Sequence, residues 1–286
     1  MSANDIGASK YAWATRSLAT KAGYKAAADF FTAQRRWLLI AGRHPYKKTM
    51  KGWQEYQLHA LQTITYDVQL FEVVVSIVQS LGFDHCSYGL RMPLPVSRPK
   101  VVLLTNYPRA WEERYKEKGY VAVDPTVRHG TRSLQPVVWS DAFFASNRDL
   151  WEEARSFGLC VGWAQSSRDV NSTMGMLSVS RSGEPISEIE LRDKEIKLAW
   201  LTQMVHLGMS RILTAKLMPE AKTQLTDREI EVLRWTADGK TASEIADILN
   251  ISERTANFHI GNAITKLNAP NKTAAVIRAG MLGMLG

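Results

Sequence analysis

The sequence predicts an α+β layered domain followed by a small all-α domain. Strand-like alternating segments lie between helical segments in the first part, without the regular βαβ alternation of a parallel sheet. The last quarter carries four consecutive short helical patterns with capping residues. The length of 286 residues leaves room for two domains and a sizeable core in the larger one.

The larger domain is predicted to span residues 51–215, and a polar linker is predicted at 216–224. The expected helices cover residues 53–81, residues 109–118 and a long segment from the capping pair Ser187 and Glu190 to about Leu217. The expected strands cover residues 83–92, 101–106, 136–139, 161–165 and 174–181.

The final domain, residues 225–286, begins with two helices that each start at a capping box, in which a Thr is followed three residues later by Glu. Thr226 with Glu229 starts the first helix, and Gly239 stands where its C-terminus needs a left-handed residue. Thr241 with Glu244 starts the second helix. A further helix is expected after Pro270, which makes a compact unit of four helices.

Residues 241–267 predict a helix-turn-helix. The first helix is expected to bury Ile245, Ile248 and Leu249, and Ser252 offers a hydroxyl that caps the second helix. Four apolar residues recur at helical spacing on the inner face of that second helix: Ala256, Ile260, Ile264 and Leu267. The outer face carries Glu253, Arg254, Asn257, Phe258 and Gly261. A polar second helix of this kind fits the major groove of DNA.

The net charge of +8 does not itself indicate DNA binding. Residues 1–50 hold nine Lys and Arg against two Asp, a net charge of +7, so the rest of the chain is nearly neutral. Three interpretations of this basic N-terminal extension stay open. It is an arm that binds DNA or lipid, a weakly ordered appendage, or a segment that is not translated because Met50 is the true start.

An aromatic constellation marks the larger domain. Tyr107, Trp111 and Tyr115 are spaced four residues apart on one helix face, and Asp124 and Trp139 follow. The pattern fits either an aromatic core with a capping Asp or a ligand pocket with apolar walls and a few convergent polar groups. No transmembrane segment, signal peptide, metal-binding set or catalytic motif is found in the sequence.

Two motif sets resemble one family. The tracts 225–229, 239–241, 244–246, 251–255, 258–259 and 266–267 resemble the DNA-binding domain of the LuxR family, with Ala256 where Val is usual. Residues 106–115 with Asp124, Pro125 and Trp139 resemble the autoinducer-binding domain of LuxR-type quorum-sensing receptors, and tracts 87–93 and 127–130 most resemble the QscR-like branch. The resemblance implies an α/β/α sandwich that encloses an N-acyl-homoserine lactone.

The resemblance also implies roles for individual residues in the ligand site. The indole of Trp111 donates to the lactone carbonyl, and Asp124 accepts from the ligand amide. Tyr107 and Ser178 bind the acyl carbonyl. Tyr115 and Trp139 pack against the ligand, Ser87 adds a polar or water-mediated contact, and Gly162 matches a family glycine beside the pocket.

In the helix-turn-helix, Asn257 is predicted to read a base, because Asn pairs with adenine through two hydrogen bonds. Arg254, Thr255, His259 and Lys266 are predicted to contact phosphates. Ser252 and Thr241, which cap the two helices, complete the predicted DNA-binding set.

The function that follows is a cytoplasmic, homodimeric transcription factor that binds a lactone and an inverted-repeat promoter site in double-stranded DNA, with no cofactor, no metal and no membrane contact. Receptors of this type without their own synthase, or with another small molecule as ligand, are the main alternative. A phosphorylated response regulator is disfavoured because its βα alternation is missing, and an enzyme because no catalytic motif is present.

Overall fold

The computed structural model describes residues 12–17, 50–218 and 223–286, and it confirms the predicted fold class. Apart from the strand at residues 12–17, the N-terminal extension of residues 1–49 lies outside the described residues, so its three interpretations stay open. The described chain forms a mixed sheet with helices on both faces, followed by a helical domain.

The sheet has six strands in the order β1-β3-β2-β6-β5-β4. These strands are Ala12–Ser17 (β1), His85–Arg91 (β2), Lys100–Thr105 (β3), Val137–Val138 (β4), Val161–Arg168 (β5) and Met174–Arg181 (β6). Strands β2 to β6 form four antiparallel pairs, and β1 pairs with β3 in parallel. The sheet therefore matches the predicted strands and adds one that the sequence did not indicate.

Among the described residues, the sheet domain has six α-helices: Met50–Thr63 (α1), Asp67–Ser80 (α2), Arg109–Glu117 (α3), Pro125–Gly130 (α4), Arg148–Ser156 (α5) and Glu188–Leu217 (α6). Helices α1, α2 and α6 cover one face of the sheet, and α3, α4 and α5 surround a cavity on the other. The arrangement is the expected α/β/α sandwich. Ser187 caps α6 as predicted, since its hydroxyl accepts from the Glu190 amide.

The core lies between the sheet and α1, α2 and α6. Phe71 and Val74 of α2 and Val205 of α6 are fully buried against Tyr88 and Leu177 of the sheet. Each such side chain contributes about 1.5–3 kcal/mol through the burial of apolar surface. This face of the sheet therefore holds the main hydrophobic core of the domain, and the cavity lies on the opposite face.

A buried polar cluster crosses this core. The hydroxyl of Tyr88 lies 2.9 Å from Nδ1 of His206 on α6, and both residues are inaccessible to solvent. Burial lowers the pKa of His206 below its ordinary value, although the nearby Asp169 carboxylate acts in the opposite direction. Folding therefore favours the neutral form of this imidazole over the protonated form.

The structure corrects one helix prediction and adds a helix that was not predicted. The helix expected over residues 53–81 is two helices, because the β-branched residues Thr63, Ile64 and Thr65 disfavour helix and Tyr66 is extended, with φ −115° and ψ 131°. Helix α5 was not predicted, although Leu150, Trp151 and Ala154 provide a buried face at helical spacing.

The final domain consists of Asp227–Ala237 (α7), Ala242–Leu249 (α8), Glu253–Lys266 (α9) and Lys272–Met281 (α10). Both predicted capping boxes are present. The turn between α8 and α9 is made by Asn250, whose φ of 53° is left-handed. One prediction is wrong: Ile248 is exposed, and Ala246 takes its place beside Ile245 in the core.

Candidate functional site

A cavity of about 370 Å³ lies between the sheet and helices α3, α4 and α5. All seven residues predicted to contact a ligand line it: Ser87, Tyr107, Trp111, Tyr115, Asp124, Trp139 and Ser178. Ser87 and Ser178 lie on two strands, Trp111 and Tyr115 lie on α3, and the other three residues lie on connecting segments, up to 91 positions apart in the sequence. Tyr107, predicted on the same helix face as Trp111 and Tyr115, precedes the first residue of α3. The sheet and helix α3 thus bring the two serines together with the predicted aromatic residues and Asp124.

The sheet provides the floor of the cavity in rows of paired residues. Ser87 of β2 pairs with both Ser178 of β6 and Thr105 of β3, which forms a polar row. The next row toward the far end of the strands contains Gly89 and Met176. Because alternate residues of a strand face the same side, both rows point into the cavity. One end of the floor is therefore polar and the remainder is mostly apolar.

Helix α3 provides the aromatic wall. Trp111 is 4% exposed, and its ring lies 5.6 Å from that of Tyr115 in an edge-to-face arrangement. Phe157 and Tyr120 pack against the same indole. The predicted spacing of four residues along the helix is what aligns Trp111 and Tyr115.

Asp124 is the acidic group of the cavity and the N-cap of α4. One carboxylate oxygen accepts from the Tyr115 hydroxyl at 2.8 Å, and the other accepts from the Thr126 amide at 2.7 Å. Burial raises the pKa of Asp124 above its ordinary value, while these two donors act to lower it. The capping bonds fix the carboxylate at the cavity wall, where it is able to accept a further donor.

Several buried polar atoms of the cavity have no hydrogen-bond partner among the described residues. They are the hydroxyls of Tyr107, Thr126 and Ser166 and the indole nitrogen of Trp139. Leaving a buried donor or acceptor unpaired costs about 1–3 kcal/mol. The cavity is thus built for an occupant that supplies hydrogen-bonding groups.

Two glycines shape this space. A Cβ atom at Gly162 would lie 2.3 Å from the ring of Trp139, and one at Gly130 would lie 2.5 Å from the Ser166 hydroxyl. Neither position has room for a side chain. Gly162, implied by the family resemblance, is therefore the residue that lets Trp139 lie flat against the sheet.

The sequence missed part of the site. Ser166 of β5 and Thr126 of α4 contribute unpaired hydroxyls, and Leu103, Met174 and Met176 contribute apolar walls. The alternation in β5 and β6 was the available signal, since Ser166 and Met176 are paired partners on the cavity face. How deeply each side chain lies in the cavity depends on the strand register, which a single sequence does not give.

The second site is the outer face of the helix-turn-helix. Arg254 and Asn257 are exposed on α9, and Thr255 and His259 are half-buried beside them. Ser252 caps α9 by accepting from the Thr255 amide. Thr241 caps α8 and its hydroxyl also lies 2.9 Å from the Glu244 carboxylate.

Lys266 differs from the other predicted DNA contacts. Its ammonium lies 2.8 Å from the carboxylate of Glu229, whose side chain is only 3% exposed. Burial acts to raise the pKa of Glu229, but Lys266 and the Thr226 donors outweigh it and the net shift is downward. Lys266 thus joins α9 to α7, and its contact with phosphate stays a prediction.

Among residues 12–17, 50–218 and 223–286, no group of three or more His, Cys, Asp or Glu side chains is arranged to hold a metal ion. Within the same residues, no helix combines the length and apolar character that crossing a membrane requires.

Comparison with known families assigns each site to a matching domain. The family model described as "Autoinducer binding domain" matches residues 67–209, which contain the whole cavity. The model described as "Bacterial regulatory proteins, luxR family" matches residues 223–279, which contain the helix-turn-helix.

Individual relatives agree with both matches. The transcriptional activator protein AnoR of Acinetobacter nosocomialis is 50% identical over 238 residues, which cover 82% of this chain and 100% of AnoR. The HTH-type quorum-sensing regulator RhlR of Pseudomonas aeruginosa is 41% identical over 233 residues, which cover 82% of this chain and 96% of RhlR.

A solved structure of Escherichia coli SdiA has a TM-score of 0.73 to this chain at 34% identity, covering 83% of this chain and 100% of that one. The relatives are transcriptional regulators, which confirms the prediction that the protein is not an enzyme. The chain belongs to the LuxR family of quorum-sensing transcriptional regulators.

Proposed function

We propose that the protein is a transcription factor that responds to an N-acyl-homoserine lactone and, as a homodimer, binds an inverted-repeat promoter site. The observation that carries this proposal is the cavity itself, in which a fixed carboxylate, an indole and unpaired hydroxyls converge beside an apolar compartment. A lactone with an amide and an acyl chain has the complementary groups. A small neutral amphiphile binds through a few fully paired hydrogen bonds of this kind.

In this proposal Asp124 accepts the amide N–H of the ligand and Trp111 donates to its lactone carbonyl. The Tyr107 hydroxyl donates to the acyl carbonyl together with Ser178. Support comes from the Tyr107 hydroxyl, which is buried and unpaired within the described residues. Tyr115 and Trp139 pack around the head group, and the polar row at Ser87 completes the polar end.

The acyl chain extends over the apolar part of the cavity. Leu103, Met174 and Met176 line this part, together with Leu150 and Leu159. Each buried CH₂ group contributes about 0.8 kcal/mol, so affinity rises with chain length until the cavity is filled. Methionine side chains adapt to irregular spaces, which suits a flexible chain.

Ligand binding stabilises the folded state by mass action, and more folded protein is then available to dimerise. A dimer with two-fold symmetry matches an inverted repeat, with one helix α9 in each half-site. Asn257 reads a base, and Arg254, Thr255, His259 and Lys266 meet the phosphates near the caps at Ser252 and Thr241. The proposed location is the cytoplasm, where bacterial promoter DNA is found.

A second ligand class has one specific observation in its favour. A solved structure described as SdiA in complex with octanoyl-rac-glycerol has a TM-score of 0.70 to this chain at 36% identity, over 82% of this chain and 95% of that one. An acylglycerol carries the same apolar chain with hydroxyls in place of the lactone and amide. A receptor that answers such a molecule is therefore the alternative.

The decisive experiment is mass spectrometry of the ligand retained by the full chain after expression with a panel of acyl-homoserine lactones and monoacylglycerols. Retention of a lactone in preference to every acylglycerol is expected. Selective retention of an acylglycerol would support the alternative and contradict the lactone assignment.

Variants test the assigned residues. Asp124→Ala should abolish lactone retention, whereas Asp193→Ala, which removes an exposed carboxylate of α6, should not. Tyr107→Phe removes only an unpaired hydroxyl, so it should weaken lactone binding by about tenfold without lowering the stability of the ligand-free protein. Unchanged lactone binding in both site variants would contradict the proposed contacts.

A further inference from the structure

Phe258 is the most exposed large apolar side chain of residues 223–286. Its exposed fraction is 63%, compared with 45% for Ile277 and 43% for Ile248. It lies in the first half of α9, directly after Asn257. In the described structure its one aromatic neighbour is His259, with ring centroids 5.6 Å apart. A phenyl ring in this position contributes little to the fold of the domain.

Helix geometry shows where the ring points. Residues two positions apart lie about 200° apart around a helix with 3.6 residues per turn. Ala256 and Ile260, which flank Phe258 at this spacing, are 0% and 5% exposed. Phe258 therefore points directly away from the core, at the centre of the outer face of the recognition helix.

The neighbouring positions leave the ring accessible. Gly261 lies one turn further along the same face, and a Cβ atom there would find nothing within 4 Å. Arg254 lies one turn before Phe258 and is exposed. Phe258 and the gap at Gly261 thus lie on the same face of α9 as Arg254, so the inference below rests on the proposed DNA-binding function of this face.

We propose that Phe258 selects thymine by packing its ring on the C5-methyl group in the major groove. The thymine methyl is the one apolar feature that the base edges display there. Against any other edge, the ring would remove water from a hydrogen-bonding group without replacing the lost bond. The phenyl ring thus favours thymine over the other bases. This apolar contact complements the hydrogen bonds proposed for the neighbouring Asn257.

The test needs a DNA site that the protein itself defines. The full-length protein, with its retained ligand, selects duplexes from a random pool, and each thymine of the recovered half-site is then replaced singly by uracil. This replacement removes only the methyl group. At one thymine, affinity for the wild-type protein should fall by about fourfold, the factor that corresponds to one buried methyl group.

Phe258→Ala should bind the unmodified duplex about as weakly as the wild-type protein binds the uracil duplex. The variant should no longer distinguish thymine from uracil at that position. Placing 5-methylcytosine against guanine there should bind wild type better than cytosine does, because it restores the methyl group. Ile277→Ala, which removes an exposed apolar side chain of α10, should retain the full response to uracil.

Three results would overturn the proposal. The first is a wild-type protein that is indifferent to uracil at every position of the half-site, and the second is a Phe258→Ala variant that keeps the same uracil penalty. The third is a change in the dimerisation constant of Phe258→Ala in the absence of DNA, which would assign the ring to a protein interface. Because the side chain is exposed, the thermal stability of the variant should equal that of wild type.

Discussion

The two domains differ in how completely their buried polar groups are paired. Within the described residues, nine buried side-chain atoms lack a hydrogen-bond partner, and every one lies between residues 107 and 206. Residues 223–286 contain none, although they bury the carboxylate of Glu229. Four of the nine atoms line the cavity.

This difference indicates where regulation acts. Because the four atoms at the cavity are buried, we expect a bound ligand that pairs with them to stabilise the sheet domain. The helix-turn-helix has its caps and its buried ion pair in place without DNA. Its surface is preformed, so under the proposed function we expect a ligand to act on it indirectly, through the abundance and the proposed dimerisation of the whole chain.

The largest expected effect separates the two domains directly. A ligand at a free concentration of 1,000 times its Kd stabilises the domain that binds it by about 4 kcal/mol. Hydrogen exchange followed by mass spectrometry should show this protection in residues 67–209 and little in residues 223–279. Equal protection of both segments would show that the domains unfold as one unit and would remove the distinction.

A pair of glycine substitutions sharpens the same comparison. Gly162→Ala should lower the free energy of unfolding by about 3 kcal/mol and reduce ligand retention, because the added methyl overlaps the Trp139 ring. Gly261→Ala, in an exposed helical position with open space, should raise stability by about 1 kcal/mol. Urea unfolding of both variants measures these changes in the free energy of unfolding. An unchanged stability of Gly162→Ala would show that Trp139 is able to move away from the added methyl group.

The success of the sequence-based predictions also differs between the domains. Both capping boxes and the turn at Gly239 were predictable because they depend on residues three to five positions apart. Five of the seven cavity residues stood out by their spacing, which left an aromatic core and a ligand pocket both open, and the family resemblance favoured the pocket. Ser87 and Ser178 came from the resemblance alone, since no local pattern joins them. The strand register that pairs them and the unpaired hydroxyl of Ser166 are long-range properties, as is the exposure of Ile248.

Removing the ion pair between Lys266 and Glu229 tests how much this buried interaction stabilises the helical domain. Lys266→Ala leaves a buried carboxylate without its cation and should cost about 2 kcal/mol. Lys240→Ala removes the partner of Glu244 at an exposed site and should cost at most about 0.5 kcal/mol. Thermal unfolding of the two variants gives the difference. Equal losses would mean that the Glu229 pair is no better than a surface pair.

The smallest expected effect concerns pH. The folded pKa of His206 is lowered from an ordinary value of 6.5, so the unfolded chain binds a proton more readily than the folded one. The stability that this neutral imidazole contributes is complete above pH 6.5 and declines as the pH falls below it. The folded pKa of Glu229 is lowered from 4.5, so its contribution is lost only as the pH falls below that value.

The two domains should therefore weaken in different pH windows, the sheet domain first. His206→Gln keeps a hydrogen-bonding group near Tyr88 but does not titrate, so the difference in stability between wild type and this variant should shrink from pH 7.5 to pH 5. Urea unfolding at several pH values, followed by peptide-resolved hydrogen exchange, measures that difference for residues 67–209. A constant difference across this range would show that His206 does not carry the pH dependence. Loss of protection in residues 223–279 above pH 5 would contradict the order of the two windows.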